Sequence, residues 1–341
     1  MIESVYIEED VRDHPRTLEI LRKLPRAEVQ TIERYGELFN RKRQNFRLQK
    51  QQPALILARK HANHVLSAPA DYNIGGQHNF YFSHLLNCVY DCRYCFLQGM
   101  FRSANYVLFV NYEDFFEQIA QTQHALPSPG WYFSGYDCDS LALEPWSGFA
   151  EAAVDWFRDH PDCHIELRTK STQIRSLLKR PAIDNAVVAF SLAPDPVAQA
   201  LEHKAPSLEK RLDALRTLAE AGWRIGLRMD PVIWADNYEH VYGAFLDQVF
   251  NSLPTDAIHS VSLGGFRLPV DFMKTVTRLY PEEPLFALPM TQRDGMVSVA
   301  HEREQRLLGF CRDGILKHVP DTRFFPCQPI EPGAAEITAP G

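Results

Sequence analysis

The sequence predicts an α/β fold in the form of a partial barrel of parallel strands, and three observations support this prediction. Short apolar segments alternate with segments of helical periodicity along the middle of the chain, and repeated strand–helix units are typical of a parallel sheet. About six such units can be counted, fewer than the eight of a complete barrel. The chain has 341 residues, of which 45% are hydrophobic, enough to bury one large core.

The predicted barrel occupies residues 76–285. It lies between an N-terminal extension, residues 1–75, that packs on it, and a C-terminal hairpin, helix and tail, residues 286–341. In the extension, residues 18–35 have helical spacing interrupted by Pro25. The aromatic run at residues 79–87 predicts a strand that leads into a cysteine loop. Further strands are predicted at residues 131–134, 164–169, 186–192, 224–229 and 258–263, helices at residues 111–126, 146–160, 172–179, 207–221, 238–253 and 302–317, and a tail outside the repeat at residues 323–327.

Charge and composition argue against several classes of protein. The net charge of −7 and pI near 6.0 disfavour broad, nonspecific nucleic-acid binding, which needs a clustered positive surface. No apolar run is long enough for a membrane helix, and the acidic start is unlike a secretory signal, so we expect a cytoplasmic protein without a membrane partner. A monomer is favoured. Seven cysteines, three of them in one loop, argue against a disulfide framework, and we expect Cys163, Cys311 and Cys327 to be buried small hydrophobes.

The loop at residues 88–98 carries Cys88, Cys92 and Cys95 in a C-x3-C-x2-C pattern. This spacing allows three thiolates to converge on one metal centre, and three ligands for a [4Fe-4S] cluster leave one iron open. An open iron can chelate the amino and carboxylate groups of S-adenosylmethionine and deliver an electron to its sulfonium. The pattern therefore predicts an iron–sulfur cluster that works with S-adenosylmethionine.

A zinc loop is the alternative for these cysteines. Such a loop usually takes a fourth ligand from a second paired cluster. Only His61 with His64, or His160 with Cys163 and His164, could supply one, and neither has the paired pattern. The cluster interpretation is therefore favoured.

Polar residues follow the predicted strands, at the edge where parallel β/α proteins place their chemistry. Ser134 and Gly135 could meet a methionine ammonium through the backbone, Lys170 could pair with its carboxylate, and Ser191 could bond a ribose hydroxyl or a carboxylate. Each residue taken alone is better explained as an ordinary capping or surface residue. Their common position favours a cofactor site.

A run of cations at residues 40–50 stands out on this acidic chain. It contains Arg41, Lys42, Arg43, Arg47 and Lys50. Such runs are usually solvated faces, and the other interpretation is a patch that contacts phosphates. The sequence leaves both open.

The chain resembles the spore photoproduct lyase family of radical S-adenosylmethionine enzymes over most of its length. The matching stretches, in chain order, are Val5-Tyr6-Ile7-Glu8, the cysteine loop through residues 94–98, and residues 106–118, 139–144 (DSLALE), 169–170, 190–191, 205–211 (APSLEKR) and 321–326. The resemblance implies a partial (β/α)6 barrel of the radical S-adenosylmethionine type, with a [4Fe-4S] cluster on Cys88, Cys92 and Cys95. It also implies reductive cleavage of S-adenosylmethionine to a 5′-deoxyadenosyl radical, and repair of a covalent thymine dimer in DNA. Family members contact S-adenosylmethionine with residues that match Lys170 and Ser191.

The sequence departs from the family at the residues that return hydrogen to the product. Alignment on DSLALE places Tyr136 where the family has a hydrogen-donor cysteine, and Cys138, the nearest thiol, where it usually has a serine. Phe96 stands where the family has a relay tyrosine, whereas Tyr94, the residue before Cys95, is retained, and the resemblance makes Tyr94 a candidate catalytic residue. Both Tyr136 and Cys138 are candidate donors.

The resemblance implies two partners, lesion-carrying DNA and an electron donor such as a flavodoxin or ferredoxin. Two alternatives remain from the residues. One is a radical enzyme acting on a different nucleic acid or small molecule, and the other is a cluster protein that senses or transfers electrons without turnover.

Overall fold

The computed structural model describes residues 2–331, which form two main sheets with helices around them. The strands are β1 Ser4–Glu8, β2 Glu28–Ile32, β3 Leu55–Ala58, β4 Leu66–Ser67, β5 His78–Tyr81, β6 Leu85–Leu86, β7 Asp91–Cys92, β8 Tyr106–Phe109, β9 Gly130–Ser134, β10 Cys163–Thr169, β11 Ala186–Ser191, β12 Glu202–His203, β13 Arg224–Val232, β14 Ile258–Gly265, β15 Arg267–Pro269, β16 Met290–Arg293, β17 Met296–Val299 and β18 Phe324–Pro326.

The helices alternate with these strands through the middle of the chain. They are α1 Pro15–Lys23, α2 Phe46–Gln51, α3 Leu97–Met100, α4 Tyr112–His124, α5 Glu144–Ser147, α6 Phe149–Arg158, α7 Arg175–Leu178, α8 Asp195–Leu201, α9 Leu208–Glu220, α10 Tyr238–Asn251, α11 Val270–Leu279 and α12 His301–Ile315. None of the helices within residues 2–331 combines the length and the apolar character needed to cross a membrane.

The larger sheet is the partial barrel. Its spatial order is β18-β14-β13-β11-β10-β9-β5-β4, and all neighbouring pairs are parallel except β4 with β5. β5, β9, β10, β11, β13 and β14 follow one another along the chain with helices between them, so the predicted partial (β/α)6 barrel is confirmed. β11, with the sequence AVVAFS, is buried at every position, as expected for a parallel strand covered on both faces.

The inside of the barrel is partly polar. An apolar group that includes Trp131, Phe133 and Ala189 fills one part of it. Nearby, Glu166 and Arg228 form an ion pair in which Nη2 lies 2.6 Å from Oε2, and both side chains are 1% exposed. Because a buried charge is tolerated only when it is paired, these two residues depend on each other.

The smaller sheet belongs only in part to the N-terminal extension. Its order is β2-β1-β3-β8-β6, so two of its strands come from residues 85–109, on either side of the cysteine loop. The fully buried carboxylate of Glu8, at the end of β1, accepts hydrogen bonds from the backbone N–H groups of Tyr35 (2.7 Å) and Arg59 (2.9 Å). Pairing of β3 with β8 thus joins the extension to the rest of the chain, and Glu8 holds two segments of the extension together.

Several predicted features differ from the structure. The single strand predicted at residues 79–87 is two strands, β5 in the barrel sheet and β6 in the smaller sheet. The helical spacing of residues 18–35 yields a helix only as far as Lys23, after which Glu28–Ile32 pairs as β2, so the interruption at Pro25 separates two elements. The helix predicted at residues 146–160 is divided at Gly148, whose φ of +57° ends α5. Phe324–Pro326 joins the barrel sheet as β18 instead of lying outside the repeat. Cys163 and Cys311 are buried as predicted, but Cys327 is half-buried.

Candidate active site

The cysteine loop is held by residues far away in the chain. Its strand β7 pairs antiparallel with β12, which brings Cys92 opposite Glu202. The ammonium of Lys50, on α2, donates hydrogen bonds to the carbonyl oxygens of Cys88 (2.8 Å) and Tyr90 (3.0 Å). Lys50 is only 5% exposed, so these are buried, charge-assisted hydrogen bonds. Although the three cysteines are close in sequence, their loop is therefore positioned by two distant elements.

The entry to the loop requires an unusual backbone conformation. Asn87 has a φ of +75°, a left-handed conformation that asparagine tolerates better than most residues. Its side-chain amide donates to the carbonyl oxygens of Ser103 (2.8 Å) and Asn105 (3.2 Å), and its side-chain oxygen accepts from the Cys88 N–H (2.9 Å). Asn87 thereby turns the chain from β6 into the first cysteine.

The three thiols fit an iron–sulfur cluster better than a single ion. Within residues 2–331, no three His, Cys, Asp or Glu side chains are grouped closely enough to share one metal ion. His64 and His160, considered above as extra zinc ligands, each contact a backbone carbonyl oxygen instead, at 2.9 and 2.8 Å. In a four-iron cluster each thiolate binds a different iron. The three sulfur atoms can therefore lie further apart than the ligands of a single ion.

Burial disfavours the charged form of the three thiols. Cys92 is buried and Cys88 and Cys95 are half-buried. Burial raises the pKa of all three thiols, and Lys170 opposes this rise at Cys92 and Cys95. Because a metal ligand must be deprotonated, bound iron would have to stabilise the three thiolates against this effect.

Lys170 belongs to a buried charge network next to the cluster loop. Its Nζ lies 3.7 Å from Glu202 Oε1 and 5.7 Å from the centre of the Tyr94 ring. Glu202 also accepts hydrogen bonds from Arg211 and from the Tyr94 hydroxyl. Burial alone would raise the pKa of Glu202, but Lys170 and Arg211 lower it, so the residue is an anion. The 3.7 Å separation of the Lys170 ammonium from Glu202 is that of an ion pair and is too long for a hydrogen bond.

Asp139 fixes the backbone of the strand end that carries Lys170. Its carboxylate accepts hydrogen bonds from the Lys170 N–H (2.6 Å), the Thr169 hydroxyl (2.6 Å) and the Leu141 N–H (3.0 Å). The DSLALE stretch therefore ties the loop after β9 to the end of β10.

The other predicted cofactor contacts lie at the same edge. The Ser134 side chain is fully buried and bonds the Ser140 hydroxyl (2.7 Å), so only its backbone is free for a ligand. Gly135 has a φ of +87°, and a Cβ there would lie 2.6 Å from Ser140 Oγ, so the position requires glycine. Ser191 ends β11, and its carbonyl accepts a hydrogen bond from Arg211 (2.9 Å). Arg211 thus links Ser191 to the Glu202 network.

This arrangement can be compared with known proteins. The family model described as "Spore photoproduct lyase" matches residues 3–293, which is most of the chain. The chain belongs to this family.

Individual members of the spore photoproduct lyase family are distant relatives. The enzymes of Clostridium acetobutylicum and Bacillus subtilis are each 23% identical to this chain, over 168 and 202 residues. These segments are 49% and 58% of this chain and 50% and 59% of those enzymes, so the chain spans about half the length of the curated relatives it matches.

Solved structures of the family share the whole fold. A mutant spore photoproduct lyase with bound AdoMet and dinucleoside spore photoproduct superposes with a TM-score of 0.83 at 16% identity, covering 96% of this chain and 98% of that chain. A spore photoproduct lyase complexed with dinucleoside spore photoproduct gives a TM-score of 0.80 at 17% identity with the same coverage. These likenesses establish the fold.

Two residues at which the sequence is expected to depart from the family, Tyr136 and Phe96, have rings that lie next to each other. The ring of Tyr136 lies 5.8 Å from Phe96, 4.5 Å from Tyr81 and 5.7 Å from Tyr72, between ring centres. Tyr136 is half-buried, and burial raises the pKa of its phenol, which therefore keeps its hydrogen. Cys138 is 8% exposed within the main hydrophobic core, where burial raises the pKa of its thiol. Tyr136 is thus the more accessible of the two candidate donors.

Two predicted roles need correction or qualification. Lys50 cannot contact phosphates as part of the cationic run, because its ammonium is buried under the cysteine loop. The remaining four cations, Arg41, Lys42, Arg43 and Arg47, are exposed. The Tyr94 hydroxyl already donates to Glu202, and burial raises the pKa of Tyr94 well above its usual value.

Sequence reasoning missed Lys50 as a support of the loop, and it missed Glu202 and Asp139. A signal existed for Lys50, because it lies four residues after the buried Phe46 and so on the same face of α2. Glu202 had no local signal, since its partners Lys170 and Tyr94 are far away in the chain.

Proposed function

We propose that this chain is a radical S-adenosylmethionine lyase that repairs a covalent thymine dimer in DNA. Membership of the spore photoproduct lyase family supports this proposal. The main structural support is that the cysteine loop, Lys170 and Ser191 lie together at the carboxyl edge of a parallel sheet, where such folds bind their ligands. A family member with the same fold has been solved with AdoMet and dinucleoside spore photoproduct bound.

Each residue of the site has a proposed role in holding the cofactors. Cys88, Cys92 and Cys95 hold a [4Fe-4S] cluster, and Lys50 keeps their loop in place through its two carbonyl contacts. The Lys170 ammonium, positioned by Asp139 through its backbone, pairs with the carboxylate of S-adenosylmethionine. Gly135 gives the methionine part room, and Ser191 contacts a hydroxyl or carboxylate. When bound, the cluster and S-adenosylmethionine supply the reductive radical chemistry that starts the reaction.

Hydrogen return is assigned to Tyr136. Its phenol is protonated, half-buried and beside Phe96, the residue that follows Cys95. A phenol O–H can give a hydrogen atom to a carbon-centred radical of the product. Cys138 is the rival donor, but it is buried in the hydrophobic core.

The partners follow from this reaction. A lesion in a duplex must be extruded to reach the barrel mouth, and a damaged pair that stacks poorly is extruded more easily. The four exposed cations of residues 41–47 are the proposed phosphate contacts. A flavodoxin or ferredoxin is the proposed electron donor, and the protein is proposed to act as a monomer in the cytoplasm.

One experiment tests the proposal. The enzyme is reconstituted anaerobically, reduced and incubated with S-adenosylmethionine and an oligonucleotide that carries the spore photoproduct, and both 5′-deoxyadenosine and restored thymines are measured. We expect both products. Alanine at any cysteine of the loop should remove most of the iron and all cleavage, whereas Cys163→Ala and Cys311→Ala are matched controls that should keep the iron.

The same assay distinguishes Tyr136 from Cys138 as the hydrogen donor. It also distinguishes repair of the lesion from a radical reaction on another substrate. If Tyr136 is the donor, Tyr136→Phe should still form 5′-deoxyadenosine but divert the product to side reactions, and Cys138→Ala should repair cleanly. The opposite pattern would assign the role to Cys138. If the unchanged enzyme cleaves S-adenosylmethionine and never repairs the lesion, it is a radical enzyme for another substrate, which the replacements at Tyr136 and Phe96 would then explain. If it cleaves no S-adenosylmethionine, it is not a radical enzyme of this type.

A further inference from the structure

Three charged side chains of alternating sign form a row at the carboxyl edge of the barrel, with Arg168 on β10, Asp230 on β13 and Arg267 on β15, beside the barrel sheet. Arg168 Nη2 lies 3.6 Å from one oxygen of Asp230, and Arg267 Nη1 lies 3.9 Å from the other. Asp230 is therefore flanked by a guanidinium on each side. The side chains of Arg168, Asp230 and Arg267 are 15%, 24% and 30% exposed, so all three can be reached from the barrel mouth.

The three groups have hydrogen-bonding capacity to spare. Both ion-pair distances exceed the usual length of a hydrogen bond, so the Asp230 carboxylate keeps acceptor positions. A guanidinium carries five N–H donors. Arg168 uses one on the Tyr72 hydroxyl (3.0 Å). Arg267 is oriented by Gln328 Oε1 (2.7 Å) and the Cys327 carbonyl (3.0 Å), and other donors remain.

Aromatic rings lie beside this row of charged groups. The Asp230 carboxylate packs closely against Gly264 on β14, since a Cβ there would lie 2.5 Å from Asp230 Oδ1. The Tyr72 ring contacts both Phe133 (4.8 Å) and Tyr136 (5.7 Å) between ring centres. Aromatic side chains of this kind stack on extruded bases.

We propose that Arg168, Asp230 and Arg267 bind the imide edge of a thymine ring in the lesion. This inference rests on the proposed function. The row presents a donor, an acceptor and a donor in order. The imide edge of thymine presents the complement, which is a carbonyl oxygen, an N3–H and a second carbonyl oxygen. Each arginine donates to one carbonyl, and Asp230 accepts the N3–H.

This mode of binding explains both orientation and base selectivity. C6 lies across the pyrimidine ring from N3, so a ring held by its imide edge at the barrel wall presents C6 toward the mouth. Tyr136 contacts Tyr72, whose hydroxyl accepts a hydrogen bond from Arg168, so the proposed hydrogen donor and the charged row belong to one connected group. Cytosine has an unprotonated N3 and an amino group in place of one carbonyl. It would direct a lone pair at Asp230 and N–H groups at an arginine, so the site discriminates against it.

The test is a binding measurement on the reconstituted enzyme without turnover. Titration calorimetry compares the dinucleoside spore photoproduct with the same compound methylated at N3 of both rings, which removes the N–H donors. In the parent enzyme we expect methylation to weaken binding on the order of 10- to 100-fold, the range for a hydrogen bond to a charged group. In Asp230→Ala the unmodified compound should bind more weakly and methylation should have little further effect. Asp271→Ala, which removes a carboxylate that is 90% exposed on α11, should keep the full methylation effect.

Two results would overturn the inference. One is equal binding of the two compounds by the parent enzyme. This comparison uses only the unmodified protein, so it does not depend on whether a variant folds. The other is an Asp230→Ala variant that retains the full methylation effect. In either case repair of the unmethylated lesion would leave the proposed function intact. A parent enzyme that neither binds nor repairs the photoproduct would overturn the proposed function together with this inference.

Discussion

Replacing Lys50 by methionine tests whether the buried ammonium holds the cysteine loop. Methionine keeps an unbranched side chain of similar length, so the change removes the charge and donors but little packing. Two charge-assisted hydrogen bonds are lost, to the carbonyls of Cys88 and Tyr90. Each such bond contributes about 1.5–3 kcal/mol, and the cost of burying the ammonium offsets part of the sum. We expect the free energy of unfolding to fall by about 3 kcal/mol.

That loss is smaller than the total stability of about 5–15 kcal/mol typical of folded proteins, so the variant should fold. The cysteine loop should nevertheless lose its support, and iron content after anaerobic reconstitution should fall well below that of the parent. The assays are denaturant unfolding of the apoprotein and iron determination on the reconstituted protein. Lys42→Met is the matched control, because Lys42 belongs to the same cationic run but is exposed, and it should leave both readings unchanged.

The reasoning about Lys50 would be refuted by a Lys50→Met protein that binds as much iron as the parent and unfolds at the same denaturant concentration. The two carbonyl contacts would then contribute nothing to the loop. A loss of stability with normal iron content would limit the role of Lys50 to the packing of α2.

The remaining predictions concern the cofactor and the nucleic acid. Lys170→Ala should weaken S-adenosylmethionine binding by about 1.5–3 kcal/mol, the range for a charge-assisted bond, while the fold is retained because Glu202 keeps its contact with Arg211. Unchanged affinity in equilibrium binding would make Lys170 a purely structural partner of Glu202. Neutralising the four exposed cations of residues 41–47 should lower affinity for duplex DNA and reduce the salt dependence by roughly 0.9 in slope per lost phosphate contact. Equal slopes in a salt titration would assign these cations to solvent.

The order of elements in the barrel was predictable because its strands are buried on both faces. Such strands appear as short apolar runs, and β9, β10, β11, β13 and β14 all begin and end within three residues of the predicted bounds. The apolar run of β8, before the predicted helix at residues 111–126, was not recognised as a strand. The tail strand β18 was placed outside the barrel, because pairing of three residues with β14 depends on the completed sheet.

The site was predictable where its residues are neighbours in sequence. The spacing of the three cysteines could be interpreted from one short stretch. The groups that position them could not, since Lys50 and Glu202 meet the loop only after the chain has folded back. Charges inside the barrel were missed for a related reason. Arg228 lies in a strand predicted from its apolar neighbours, and its burial depends on Glu166, 62 residues earlier.

The pairing of β7 with β12 limits when the cysteine loop can be fixed during synthesis of the chain. A ribosome delivers the cysteines first, and Glu202 and His203, which close the loop by pairing with Cys92 and Asp91, emerge more than a hundred residues later. At roughly 5–20 residues per second, the thiols spend several seconds in the cell without the strand that fixes them. We expect a cluster in its final geometry to depend on synthesis of the chain beyond β12. At that point β5, β9, β10 and β11 have been synthesised, whereas β13 and β14 have not.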